Sequence, residues 1–377
     1  MLKQYRVRDY DFRLVLLVAL LTIAGIFAVG SAEKSLQRIQ MAGFIFGFFL
    51  MVVISLFDYS VLLKFNWLFY LGNLLLLSLV ETPLGKTTNG AQRWITLFGI
   101  QFQPSETAKI LLILFYAQFI MKHKEKLNSV KIIGLCFLFI LPPLILIYRQ
   151  PNLSTTIVLA VIFCVIMFVG GISWKLVAGV LAVLVPSVVI IFSIVIRPEQ
   201  TLIRGYQQTR ILAWLYPEEY ATAEAYQQLN SIMAIGSGQL HGKGYNTNVI
   251  SSVKNGNFIS EPQTDFIFAV IGEEFGFIGT CTVIVLIILI TLECFLVARK
   301  AKDLAGTIIA AGMAGLIGFQ GFLNIGVTTG MLPNTGVTLP FVSYGLTSLV
   351  SLYIGIGFVL NVGLQCRKYK TEERVWA

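Results

Sequence analysis

Apolar residues gather along the chain in ten runs of membrane-spanning scale, at 14–32, 39–57, 65–80, 107–121, 132–148, 153–171, 176–196, 277–298, 304–325 and 347–364, separated by polar or charged connections. A helix rises 1.5 Å per residue, so about 20 apolar residues cross a hydrocarbon layer of about 30 Å. The pattern predicts an all-α, polytopic membrane protein: one integral membrane domain over 1–377 with about ten transmembrane helices. An even number of spans puts both termini on one side. Lys3, Arg6, Arg8 and Arg13 at the front and Arg367, Lys368, Lys370 and Arg374 at the back make that side cytoplasmic by the positive-inside rule. The basic connections between spans four and five (Lys122, Lys124, Lys126, Lys131) and between eight and nine (Arg299, Lys300, Lys302) agree. A cleavable signal peptide ending near Ala28-Val29-Gly30 is the rival reading of the first run. That run is longer than a typical signal core, and its loss would leave the basic ends on opposite sides.

Two regions break the pattern. Between spans seven and eight lies a large outer loop, 197–264, far longer than an ordinary helix connection. In it, Ile203 to Tyr216 interleaves Arg204 and Arg210 with Tyr206, Ile211, Leu212, Trp214 and Leu215, a pattern suited to a helix lying in the membrane interface. A second helix is predicted from Ala221 to Ile235, stopped by a Gly236-Ser237-Gly238 turn. The other break is 326–346, where Gly326, Gly330, Pro333, Gly336, Pro340 and Gly345 forbid a regular helix. No charge falls between Asp303 and Arg367, so this segment reads either as a re-entrant loop at membrane depth or as an uncharged outer turn. Gly312, Gly315, Gly318 and Gly321 in span nine, and Gly43 with Gly47 in span two, offer small faces for close helix packing.

Composition agrees with the pattern and excludes several classes. The chain is 56% hydrophobic and 12% charged, against about 25% charged in soluble domains, with a mean hydropathy of +0.79. The net charge of +9 raises the question of nucleic acid, but the expected inner side carries the whole excess and the outer side is neutral in sum, so no nucleic-acid partner is implied. The five cysteines lie within or at the ends of spans, which implies no disulfide framework. Histidine occurs only at 123 and 241, no metal site is predicted, and no Gly-rich nucleotide loop is present.

The remaining chemistry faces outward. The sharpest motif is Glu261-Pro262-Gln263-Thr264-Asp265-Phe266-Ile267-Phe268, leading to Gly272-Glu273-Glu274. It sets Asp265 where the long loop enters an apolar helix, and partial desolvation there raises a carboxylate toward the range of a general base. The alternative is that Thr264 or Asp265 merely caps the helix. Glu273 lies about 80° around that helix from Asp265 and Glu274 on the opposite side; acids in an apolar stretch must face protein or water. A second motif runs Asn89-Gly90-Ala91-Gln92-Arg93-Trp94, then Gln103-Pro104-Ser105-Glu106-Thr107-Ala108-Lys109 into span four. There Glu106 and Lys109 can pair at i,i+3. Alternatively, Pro104-Ser105-Glu106 is only a good helix start and Arg93 an interfacial anchor. A third element is Arg149-Gln150-Pro151-Asn152-Leu153-Ser154-Thr155.

These motifs, in this order and together with Pro340-Phe341-Val342-Ser343-Tyr344-Gly345, resemble the SEDS family (shape, elongation, division and sporulation proteins; the RodA/FtsW/SpoVE group) over nearly the whole chain. The resemblance implies a peptidoglycan glycosyltransferase that polymerises lipid II on the outer face of the bacterial plasma membrane, with a class B penicillin-binding protein as transpeptidase partner. It makes Asp265 the essential acid. The substrate-binding candidates are Arg93, Arg210 and Lys243 for the departing pyrophosphate, with Glu106, Lys109, Glu273 and Ser343; a divalent cation (Mg or Mn) held by carboxylates is the alternative source of positive charge, and no other cofactor is implied. Short termini favour the elongation, RodA-like branch. Two positions depart from the family: Asn152 where it carries Asp, and Leu346-Thr347-Ser348 where it commonly has Gly-Ser-Ser. The rival functions are a flippase for the lipid-linked precursor, suggested by the broken 326–346 segment, and a scaffold that only recruits an enzyme.

Overall fold

The computed structural model describes residues 10–375 except 89–90, 98–99, 196–204, 223–224, 247–251, 253–255 and 257. Lys3, Arg6, Arg8, the Asn89-Gly90 pair, and Ile203 and Arg204 of the expected interfacial helix therefore lie outside the described residues, and nothing is said of the side chains beyond 365.

Every expected span falls on helix. They are α1 (Phe12–Ala32), α2 (Lys34–Leu56), the pair α3 (Tyr59–Leu62) and α4 (Asn66–Leu79) joined by a 3-10 turn, α5 (Pro104–Lys122), α6 (Val130–Arg149), α7 (Leu153–Val169) and α8 (Trp174–Val195); after the long loop come α11 (Ile267–Arg299), α12 (Leu304–Thr328) and α13 (Leu346–Val375). Among the described residues seven are long and apolar enough to cross a membrane: α1, α2, the α3–α4 pair, α6, α11, α12 and the Leu346–Gln365 part of α13; α7 is a shorter apolar helix. The long loop holds α9 (Gly205–Leu215) and α10 (Tyr226–Ser237). The second of these starts later than expected and runs through Gly236, so the turn begins only at Gly238.

One element was not anticipated. β1 (Gly85–Thr88), β2 (Ala91–Leu97) and β3 (Ile100–Phe102) form a small antiparallel sheet in the order β1-β2-β3, with Gly85 opposite Ile95 and Ile95 opposite Phe102. Threonine, tryptophan and isoleucine suit a pleated, half-buried surface. The sheet presents Arg93 and leads directly into α5.

Helix α12 sits at the centre, packed by α5, α7, α10, α11 and α13. Its glycines serve close packing, as expected: a Cβ on Gly312 would lie 3.0 Å from Ile113 of α5, one on Gly315 3.2 Å from Val165 of α7, and one on Gly321 3.1 Å from Ile287 of α11. Gly43 and Gly47 of α2 meet Leu346 and Tyr353 of α13 in the same way.

The two breaks position the site. The expected 326–346 segment is shorter than drawn, since α12 continues to Thr328 and α13 begins at Leu346. The intervening turns run inside the bundle, with Val337, Leu339, Phe341, Val342 and Ser343 buried. A Cβ on Gly25 would lie 2.6 Å from the Val342 Cα, and Gly25 is about 10 Å along α1 from its end at Ala32.

The second break is within α11, at Gly276 (φ 64°, ψ −158°). The segment after α10 fills it. The N–H groups of Phe277 and Ile278 donate to the carbonyls of Gln239 (2.8 Å) and Leu240 (3.2 Å), and those of Lys243 and Gly244 donate to Glu273 (2.9 Å) and Glu274 (3.1 Å). Gly276 occupies a backbone region open essentially to glycine alone, and a Cβ would meet the Gly242 nitrogen at 2.4 Å. Gly276→Ala should therefore destabilise the protein by about 1–3 kcal/mol, read as a lowered midpoint in thermal melts of detergent-solubilised protein; an unchanged midpoint would contradict this account.

Candidate active site

Asp265 sits in the turn before α11. The capping alternative does not hold. The N-cap of α11 is Phe266, with no side-chain cap bond, and Thr264 donates its hydroxyl to the Glu261 carbonyl at 3.0 Å. The Asp265 carboxylate points instead at the irregular segment, where a Cβ on Gly336 (φ 70°) would lie 3.2 Å from Oδ2. Among the described residues no donor hydrogen-bonds this carboxylate. It keeps some surface exposure but is surrounded by protein, and this loss of water pushes its pKa up to about 6. Glu261 adds to the shift, while Arg210 of α9 and Arg93 of β2 oppose it. A carboxyl at about 6 is ionised at neutral pH yet basic enough to take a proton.

The walls of the site are held by buried polar groups. Ser343 Oγ donates to the Thr264 carbonyl (2.6 Å) and accepts from the Leu339 N–H (2.7 Å), and the Tyr344 N–H donates to the Gln263 carbonyl (2.9 Å). Asn324 Nδ2 donates to the carbonyls of Asp265 (2.7 Å) and Val337 (2.6 Å). One turn earlier, Gln320 donates to the Thr338 carbonyl (3.0 Å) and accepts from Lys109 Nζ (2.8 Å), which also pairs with Glu106 (2.8 Å). Gln40 of α2 donates to the Ser343 carbonyl (3.1 Å).

The sequence candidates thus fall into three groups. Asp265, Arg93 and Arg210 share one electrostatic environment. Arg93 is anchored through the carbonyls of Gln150 (3.1 Å) and Pro151. Lys243 and Glu273 form a separate pair (2.7 Å) at the α11 break, eight residues along from Asp265, and the neighbouring Glu274 accepts from Ser31. Glu106 and Lys109 are almost wholly buried and turned to each other and Gln320, and the Ser343 hydroxyl is engaged by backbone on both sides; these three brace the site from behind.

Gln320 and Asn324 were not singled out in the sequence. Their signal was two amides at i,i+4 in an apolar, charge-free helix. The two family departures are also accounted for locally. Asn152 Oδ1 caps α7 by accepting from the Thr155 N–H (3.3 Å), a task an aspartate performs equally. Thr347 Oγ1 accepts from the Gln103 N–H (3.2 Å), tying α13 to the start of α5.

The chain as a whole is similar to known proteins. Residues 10–368 match the family described as "Cell cycle protein", the FtsW/RodA/SpoVE group, and the chain belongs to it. It is 34% identical to the peptidoglycan glycosyltransferase MrdB of Escherichia coli K12 over 89% of this chain and 86% of that protein, and 32% identical to a probable peptidoglycan glycosyltransferase FtsW of Geobacter sp. M18 over 96% and 99%. Among solved structures it is similar to a chain from a study of how a peptidoglycan synthase complex coordinates polymerisation and crosslinking (TM-score 0.77, 30% identity, 95% of this chain and 98% of that one). It is also similar to the rod shape determining protein RodA of Thermus thermophilus (TM-score 0.68, 29% identity, 94% and 96%).

Breaking one side of a buried ion pair strands a charge, which costs about 3–5 kcal/mol. Lys109→Met should therefore lower the thermal midpoint strongly, and adding Glu106→Gln should restore much of it. Equal melting of single and double variants would show that the pair does not brace the bundle.

Proposed function

We propose that the chain is a multi-pass bacterial membrane glycosyltransferase that polymerises lipid II into glycan strands on the outer face, for cell elongation and shape, and works beside a class B penicillin-binding protein. The observation that carries the reading is the Asp265 carboxylate: raised in pKa, hydrogen-bonded by no donor among the described residues, and within the electrostatic reach of two arginines where the outer loop meets the bundle. The relatives' names and the likeness to a synthase complex support the substrate class and the partner.

In the proposed reaction an acceptor sugar hydroxyl attacks the anomeric carbon of the donor. The new glycosidic C–O bond forms as the bond from that carbon to the pyrophosphate oxygen breaks; the electron pair leaves with undecaprenyl pyrophosphate, and the hydroxyl proton passes to Asp265. Arg93 and Arg210 face the negative charge that develops on the leaving group. Lys243, neutralised in part by Glu273, stands at the second break and would meet the same anion only by exchanging partners. Among the described residues no three His, Cys, Asp or Glu side chains converge, so no step is assigned to a divalent cation. The 329–345 segment, read as re-entrant, forms the inner wall of the site. Both termini are read as cytoplasmic, which turns the site outward.

Asp265→Asn keeps the shape and removes the base. It should lower glycan polymerisation from lipid II by about 10²–10⁴-fold, the range of general-base catalysis, in gel assays of purified protein with its partner present. Polymer formation at the unmutated rate would overturn the assignment and return the flippase and scaffold readings. Because the base acts ionised, kcat/KM should rise with pH through a midpoint near about 6. A rate flat from pH 5 to 8 would exclude Asp265 as the base.

A further inference from the structure

We propose that Asn324 is a positioning residue that sets the Asp265 carboxylate against its opposite wall. The inference rests on the reading of Asp265 as the base and adds a residue to it. Asn324 is 1% exposed, near the C-terminal end of the apolar helix α12. Its Nδ2 gives both hydrogens away, one to the Asp265 carbonyl and one to the Val337 carbonyl. The amide cannot be turned over, since its oxygen would then face two carbonyl oxygens.

The two acceptors belong to the two backbone segments that meet at the carboxylate. One belongs to Asp265 itself. The other belongs to the residue after Gly336, whose Cα approaches Oδ2 so closely that a methyl group there would sit 3.2 Å away. A single planar amide therefore fixes the spacing between the base and the segment facing it. The Ser343 hydroxyl also ties the two segments, through the Thr264 carbonyl and the Leu339 N–H, but only Asn324 among the described side chains bonds the backbone of Asp265 itself. Ser343 secures the residue before Asp265, and Gln320 secures the residue after Val337. Asn324 adds the tie to Asp265 itself.

The charged groups that face Asp265 are Arg210 from α9, Arg93 from β2 and Glu261 from its own turn. Asn324 contributes no charge. Its loss should act through geometry, by releasing the carboxylate from its crowded position toward water.

The test uses full-length protein with its partner, lipid II as substrate, and initial rates from pH 5 to 8. Asn324→Ala should lower kcat roughly 10–100-fold, the cost of misplacing a catalytic group by about 1 Å, with KM for lipid II within about twofold. The acid limb of the profile should move down toward the ordinary carboxyl range as water reaches Asp265. Asn324→Gln, which keeps a donor on a longer arm, should recover part of the rate. If Asn324→Ala does not yield folded protein, Asn324→Ser and Asn324→Gln fill the site and carry the same readouts. Unmutated kcat and acid limb in folded Asn324 variants, alongside an inactive Asp265→Asn, would overturn the positioning role and leave the base intact. An active Asp265→Asn would instead overturn the base itself.

Discussion

The end of the bundle that carries Asp265 depends on satisfying backbone polar groups where neither helix nor water can do so. The segment 329–345 is irregular and largely buried, and each unpaired carbonyl or N–H in such surroundings costs a few kcal/mol. Side chains supply the missing partners. Gln320 and Asn324 from α12, Ser343 from the segment itself and Gln40 from α2 take up its carbonyls and N–H groups. The α11 break obeys the same rule with backbone alone, where the strand after α10 replaces the lost helical bonds around Gly276. These bonds hold the backbone on either side of Asp265 in place.

Charge is distributed by the same economy. Glu106 with Lys109, and Glu273 with Lys243, are neutralised in pairs, as charges in an apolar bundle must be. Asp265 is treated differently. Among the described residues no cation hydrogen-bonds it, and the charges of Arg93 and Arg210 act on it electrostatically. The paired acids are therefore structural in effect, while the unpaired one retains a proton affinity useful near neutrality. The FtsW/RodA/SpoVE membership of the chain is consistent with a site built around one such acid.

Much of the fold was legible because a membrane span is a local property: twenty apolar residues announce a helix whatever surrounds them. The ten runs, the packing glycines of α12 and the i,i+3 pairing of Glu106 with Lys109 all follow from spacing along one helix. At its loop-to-helix boundary Asp265 read equally as a helix cap, and it was the family resemblance of the ordered motifs that pointed to it as the acid. The three-stranded sheet was not, since its strands are short and their pairing is a relation between segments. Nor were Gln320 and Asn324 recognised, because their partners are backbone carbonyls, which carry no sequence signal. Asn324 reaches back 59 residues to Asp265.

The sequence by itself determined the helical membrane class, because a run of apolar residues is a local property, while the order of its motifs carried the family resemblance that pointed to Asp265. Tertiary structure decided what those residues do. It turned Glu106, Lys109 and Ser343 into braces, separated Lys243 and Glu273 from Asp265, and folded an uncharged segment inward against the carboxylate. Desolvation is the physical reason: it is set by everything that packs around a group, and a pKa near 6 exists only once α9, α12, the sheet and the 329–345 segment have converged.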